Sequence, residues 1–212
     1  MKLKQLAAAW AIAMCAAWPA SATVITLDFE GIGDQSSVGD FYADLGIVFS
    51  DQTLALVDFE AGGTGNFANE PSGDTVMFFL DATSAILNFA TGFQTSFSFF
   101  YTSSVAAVVS VWDGLDGTGT QLAEIALLEN GLSGLGDPYG DFATWNEGVV
   151  LFEGTARSIN FGGAADKTGF DNLSFGTDKP DGPSPVPLPA AAPLLLGALV
   201  GLGSLARRRT RV

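Results

Sequence analysis

The sequence predicts an all-β domain, an antiparallel β-sandwich of the jelly-roll kind, flanked by an N-terminal signal peptide and a single C-terminal transmembrane helix. Three observations predict the domain. Its apolar residues come in short runs, alternating or rich in β-branched and aromatic types, as strands require. The breaks between runs are filled with Gly, Asp, Asn and Ser, the residues of tight turns, and 26 of the 212 residues are glycine. No segment carries a long apolar stripe at helical spacing.

The runs follow in order. Residues 24–29 place Ile25, Leu27 and Phe29 on one side and Asp28 and Glu30 off that face. Residues 34–45 have room for a short helix. Residues 47–49, 54–59, 75–80 and 85–89 are short strands. In 96–101, Phe97, Phe99 and Tyr101 share one face. Residues 105–112 are a continuous β-branched run, the pattern of a strand buried on both sides. Residues 121–128 are ambiguous between helix and strand. Residues 149–152, 158–161 and 170–175 complete the set. Many short strands separated by turns indicate a sandwich, and no repeat suggests a propeller or solenoid.

The N-terminus has the three parts of an export signal. Lys2 and Lys4 form the charged region, residues 6–17 are apolar, and Ala20 and Ala22 give the small-x-small pattern read by signal peptidase. Cleavage after Ala22 leaves a mature chain beginning at Thr23. Cys15 reads as a small apolar residue of the signal, because Met14 is too large for a lipoprotein cleavage site.

At the other end, residues 178–189 hold five of the nine prolines and form a stiff extended spacer. Residues 190–206 are uncharged and apolar, about 25 Å long as a helix, and read as a transmembrane segment. Arg207, Arg208, Arg209 and Arg211 follow in the basic tail 207–212 and favour the cytoplasmic side. The domain, 23–177, then sits outside the inner membrane, where the signal peptide also sends it. Gly197 and Gly201 form a G-x-x-x-G pair, which reads as ordinary small-residue usage in such a tail.

The run Val186-Pro187-Leu188-Pro189-Ala190, followed by the apolar segment and the arginines, resembles the PEP-CTERM class of sorting tails in its VPLPA variant. The founding pattern has glutamate where this chain has Leu188. The resemblance covers about residues 186–212. It implies processing near the motif by a membrane-embedded exosortase-type protease. It also implies delivery to the cell surface or extracellular matrix of a Gram-negative bacterium that makes exopolysaccharide.

Composition narrows the domain's chemistry. All 23 acidic residues lie in the exported part against three basic ones, Arg157, Lys167 and Lys179, a net charge of −20. That field disfavours nucleic acids and anionic lipid surfaces as partners. The mature domain has neither His nor Cys, which excludes a Ser-His-acid triad, a disulfide framework and His/Cys zinc sites. All 17 phenylalanines fall in the domain and supply its core. The Gly63–Ala68 segment fits a loose G-x-G-x-x-A but runs on into a loop, so it is no nucleotide site. Residues 131–135 lack the closing glycine of a nucleophile elbow. Asp113-Gly114-Leu115-Asp116-Gly117 reads as a hairpin turn.

Carboxylates and aromatics remain. Asp137, Asp141 and Glu147 share a glycine-rich segment with Tyr139 and Trp145, which are candidate sugar contacts; two facing carboxylates would be needed for hydrolysis. The chain is also similar, in strand pattern and in its Phe170-Asp171-Asn172-Leu173 ending, to galactose-binding-like jelly rolls. That resemblance implies a structural calcium shared by the first and last strands, here at Asp28, Glu30, Asp171 and Asn172; strand-end hydrogen bonding is the alternative use of those side chains. Three functional readings follow. The first is a non-catalytic, exopolysaccharide-associated surface protein. The second is a calcium-stabilised structural or adhesive matrix protein. The third is a carboxylate-based glycan hydrolase.

Overall fold

A computed structural model describes residues 24–131 and 142–176. The signal peptide, Tyr139, the sorting motif, the transmembrane segment and the basic tail lie outside the described residues. Among the described residues, no helix is long and apolar enough to cross a membrane.

The domain is all-β. Among the described residues nine strands form one antiparallel sheet: β1 (Ile25–Leu27), β2 (Ile47–Phe49), β3 (Leu54–Val57), β4 (Thr75–Phe78), β5 (Ser84–Ser103), β6 (Ala107–Trp112), β7 (Gln121–Leu127), β8 (Asn146–Gly162) and β9 (Thr168–Phe175). The order is β3-β4-β9-β5-β8-β6-β7, with β1 added on β9 and β2 on β5.

The two long strands organise it. The paired runs at 85–89 and 96–101, expected as separate strands, are one strand, β5; 149–152 and 158–161 are likewise joined in β8. Their pairing is interrupted between Asn88 and Phe93 and again between Gln94 and Ser96. Gly92 and Gly154 sit at these interruptions with left-handed backbone, φ +77° and +95°. The glycines that mimic turns in the sequence are bulges, which bend a strand without ending it.

The bend folds the sheet over on itself. Phe97 pairs with Val150 and Ala85 pairs with Phe161, so Phe97 and Phe161 belong to opposite halves of the sheet. Along a straight β8, Val150 and Phe161 would stand about 36 Å apart. The Phe97 and Phe161 rings nevertheless meet with centroids 5.8 Å apart, and Phe161 meets Phe170 at 4.9 Å. The core therefore lies between the two halves. Phe29, Phe79, Phe97, Phe99, Phe161 and Phe170 are fully buried in the domain. Each such ring contributes about 1.5–3 kcal/mol by leaving water, and most neighbours meet edge to face.

The local expectations fare unevenly. Residues 121–128 resolve as strand β7 up to Leu127, with Leu128 outside it. The short helix in 34–45 is a 3-10 turn at Ala43–Leu45. β6 is not buried on both sides: Val109 and Val111 are fully buried, while Val108 on the opposite face is 39% exposed. Its β-branched run reflects strand propensity together with one buried face, not two. Residues 113–120 form the hairpin turn between β6 and β7, with Gly114 N donating to Thr118 O and Asp113 N to Thr120 O.

Candidate functional site

Strand parity builds two surfaces on the half-sheet β3-β4-β9-β5. Ala55, Met77, Phe170 and Tyr101 point inward to the core. The alternate residues form a row on the outer face: Leu56 opposite Val76, Phe78 opposite Gly169, and Gly169 opposite Thr102. Val76 and Phe78 are buried although they belong to this outer row. Two loop segments cover them, 66–69 and 142–145.

Hydrogen bonds hold the two segments together. Ala68 N donates to Phe142 O at 3.3 Å, Asn69 Nδ2 to Ala143 O at 3.3 Å, and Trp145 Nε1 to Ala68 O at 3.1 Å. The last bond fixes the indole plane. Trp145 meets the buried Phe67 ring edge to face at 6.2 Å. Beneath it Gly169 leaves space: a Cβ there would lie 3.6 Å from Trp145 Cη2 and 3.5 Å from Thr102 Cγ2. Trp145, singled out from sequence, is thus held half-buried on the outer face.

Beside it is a pocket lined by Leu56, Asn66, Phe67, Val76, Trp145 and Asp166, with Thr102 in its wall. Its cavity volume is about 30 Å³. That is room for a water or two at its base. Thr102 is 2% exposed, and its Oγ1 is buried without a hydrogen-bond partner. An unpaired buried hydroxyl costs about 1–3 kcal/mol, and the Thr102 atom that faces Gly169 is the Cγ2 methyl. Asp166 is the one carboxylate among the described lining residues, and it is exposed. Hydrolysis by paired carboxylates needs a second.

The second cluster joins the chain's first and last strands. Leu27 pairs with Leu173, which brings Asp28 and Glu30 toward Asp171 and Asn172. The segment 70–75 closes against them. Glu30 Oε1 accepts from Asp74 N at 2.9 Å and Thr75 N at 2.8 Å, and Oε2 accepts from Thr75 Oγ1 at 3.2 Å. Asp171 Oδ2 accepts from Ser72 N at 3.1 Å and Ser72 Oγ at 3.2 Å, while Oδ1 accepts from Asn172 N at 2.7 Å. Ser72 Oγ also lies 2.8 Å from Asn172 Oδ1, and Asp28 Oδ1 accepts from Glu30 N at 3.3 Å. Phe29 N donates to Tyr42 Oη at 2.7 Å. Among the described residues, no three acidic side chains stand close enough to hold a metal together. Of the four residues expected from sequence, Glu30 and Asp171 hold the backbone of Ser72, Asp74 and Thr75, Asn172 accepts from the Ser72 hydroxyl, and Asp28 accepts from Glu30 N.

Burial dominates the electrostatics there. Asp171 is fully buried, and desolvation pushes its carboxyl up to about 7; the hydrogen bonds from Asn172 and Ser72 oppose this, and the charge of Glu30 adds to it. The Tyr42 phenol is raised by burial and by Asp28, Asp171 and Glu30, against the lowering effect of the Phe29 N–H. Glu70 is raised by burial, with Asp58, Asp74 and Glu30 adding repulsion. Asp58 Oδ1 is buried with no hydrogen-bond partner.

Glu147 is exposed at the start of β8. Thr102, Asn66, Phe67 and Asp166 were not visible as site residues in the sequence. The strand parity of Thr102, one step out of register with Phe97, Phe99 and Tyr101, was the one signal available.

No protein-family model matches the sequence, and no curated protein matches it. Solved structures give loose likenesses. One is CsCBM6-3 from Clostridium stercorarium in complex with cellobiose: 14% identity, TM-score 0.39, covering 71% of this chain and 92% of that one. A variant of the family 29 carbohydrate-binding module CBM29-2 matches with 13% identity and TM-score 0.41, covering 78% and 100%. A glycoside hydrolase family 43 arabinoxylan arabinofuranohydrolase from Bacillus subtilis, in complex with cellotetraose, matches with 16% identity and TM-score 0.38. That match covers 59% of this chain and about a quarter (24%) of the hydrolase. At these scores the likenesses do not bear on what this chain binds.

Proposed function

We propose that this chain is an exported, non-catalytic surface or matrix protein whose jelly-roll-like β-sandwich associates with exopolysaccharide. One observation carries the binding part. The Trp145 indole is held by its N–H on the outer sheet face, half-buried, and lines an open pocket there. A sugar ring has an apolar C–H face that stacks on an aromatic, and hydroxyls that pair with buried polar atoms. The lone carboxylate of the pocket supports binding without hydrolysis. The excess of acidic residues supports a neutral ligand over a polyanion.

The ends supply the route. Signal peptidase removes residues 1–22, the apolar segment holds the chain in the inner membrane, and an exosortase-type protease processes it near Val186–Ala190. Mass spectrometry of the surface form is expected to find neither end; recovery of a peptide containing Arg211 and Val212 would contradict this.

The binding reading is tested with a glycan array and calorimetric titration on the full chain, held in a detergent without a sugar head group. The wild type is expected to bind neutral glycans, and Trp145→Ala to lose at least tenfold in affinity while its melting temperature stays within a few degrees. Absence of binding to any glycan, or equal affinity in Trp145→Ala, would sink the reading.

A structural calcium at Asp28, Glu30, Asp171 and Asn172 is the second reading. Its support is the convergence of these residues across the Leu27–Leu173 pair. An ion there would compete with the N–H donors of Ser72 and Asp74 and would draw on backbone carbonyls and water for the rest of its shell.

A further inference from the structure

On one side, the end of β5 is closed by a side chain instead of a strand. β8 pairs with β5 as far as Tyr101 opposite Asn146, while β9 runs along the other side to Ser103 opposite Thr168. Past Tyr101 on the β8 side, the amide of Asn130 takes the place of a strand. Its Oδ1 accepts from Ser103 N at 2.7 Å, and its Nδ2 donates to Tyr101 O at 3.2 Å. A side-chain amide offers the donor and acceptor that a peptide group does. Two backbone bonds reinforce it: Asn130 N and Gly131 N both donate to Ser103 O, at 2.8 and 2.7 Å. The close approach requires a glycine, since a Cβ at Gly131 would lie 2.9 Å from both Ser103 C and Phe142 Cδ1.

The fold thus sets an asparagine directly before a glycine, the one Asn-Gly pair in the chain. We infer that Asn130 is a deamidation site gated by its own hydrogen bonds to β5. Water is the only co-reactant. Gly131 N gives up its proton and attacks Asn130 Cγ. The Cγ–Nδ2 bond breaks, ammonia leaves with that proton, and a cyclic succinimide remains. Water then adds to either ring carbonyl and reopens the ring, to aspartate or to isoaspartate. Glycine eases the attack because no side chain shields its nitrogen.

The folded state withholds both reactants. The Gly131 N–H is engaged by Ser103 O, and the Asn130 amide is held at both its oxygen and its nitrogen, so Cγ does not turn toward Gly131 N. Cyclisation therefore waits for the segment to leave β5, and its rate follows the fraction of time spent open. The product does not reseat. A carboxylate oxygen stands where Nδ2 donated, acceptor against acceptor with Tyr101 O. Isoaspartate also lengthens the main chain by a carbon. Gly131 O accepts from Phe142 N at 2.6 Å, and Phe142 O accepts from Ala68 N at 3.3 Å. What comes loose therefore continues into the segment 142–145 that carries Trp145, and deamidation is an irreversible ageing step directed at that face.

Incubation of the full chain at mildly alkaline pH, with and without denaturing urea, followed by peptide mass spectrometry, reads conversion at Asn130. The unfolded chain is expected to convert about tenfold faster than the folded one, or more. Equal rates overturn the gating, and an unfolded chain that keeps its Asn130 amide overturns the site. Asn130→Asp, the direct product, reports the consequence. Hydrogen exchange in residues 142–145 should rise about tenfold with exchange in β6 unchanged, and the melting temperature should fall by several degrees. Unchanged exchange in 142–145 overturns the link to the Trp145 segment. If Asn130→Asp does not fold, aged wild type gives the same comparison: converted and unconverted chains differ by a charge, separate on an anion exchanger, and are measured side by side.

Discussion

Asp171→Asn tests whether the latch between the last strand and residues 72–75 is held by a buried carboxyl that resists ionising. In the wild type this carboxyl is raised from 3.8 to about 7, first by burial. Its folded pKa lies above the unfolded one, so its contribution to stability is fully present below pH 4 and is lost as pH rises through 7. About three units at 1.36 kcal/mol each set a ceiling of about 4 kcal/mol, and about 2–4 kcal/mol is expected between pH 4.5 and 8.5. Asparagine cannot ionise, so it removes this slope. It also has one acceptor oxygen where Asp171 receives Ser72 N, Ser72 Oγ and Asn172 N, and a lost or mismatched bond costs about 1–3 kcal/mol. The variant should therefore be less stable than wild type at pH 4.5, with the gap closing or reversing by pH 8.5. Urea denaturation across that range, with calcium chelated, measures both curves. The difference between them cancels the general repulsion among the acidic side chains, including Glu70. A gap that does not change with pH would refute the reasoning, since the pH dependence would then come from elsewhere.

Two further outcomes concern the same corner of the molecule. Millimolar calcium should stabilise the wild type most at high pH, where a cation offsets the buried Asp171 charge, and should act far less on Asp171→Asn; a melting temperature unmoved by calcium would rule out the metal site. Gly73 takes a left-handed backbone (φ +51°) directly against the Glu30 carboxylate, where a Cβ would collide with Oε1. Gly73→Ala should therefore cost about 1–3 kcal/mol, read as a fall in melting temperature, and near-wild-type stability would show that the segment 70–75 moves freely.

The strands were legible in the sequence because each inward row is written in large apolar residues at a spacing of two. Phe97, Phe99 and Tyr101 announce their face without any structure. The joining of strands was not legible. Gly92 and Gly154 look like turn residues, and only the pairing of β5 with β8 on both sides of them shows that the chain continues through. A bulge and a turn draw on the same residues because both need backbone that β-branched side chains avoid. What separates them is the partner strand, which is remote in sequence.

The two candidate sites differ in legibility for the same reason. Asp28, Glu30, Asp171 and Asn172 stood out because they are charged or amide groups beside apolar strands, and the pairing of first and last strands brings them into one corner. Their chemistry changed on folding, since each carboxylate binds backbone that belongs to neither strand. Trp145 stood out because an aromatic in a glycine-rich segment is unusual. Thr102 did not, because threonine in a strand is unremarkable, and its interest lies in a missing partner. A missing hydrogen bond is a property of every neighbour at once, Gly169 opposite it among them. Substituting Gly169 would fill the floor of the pocket.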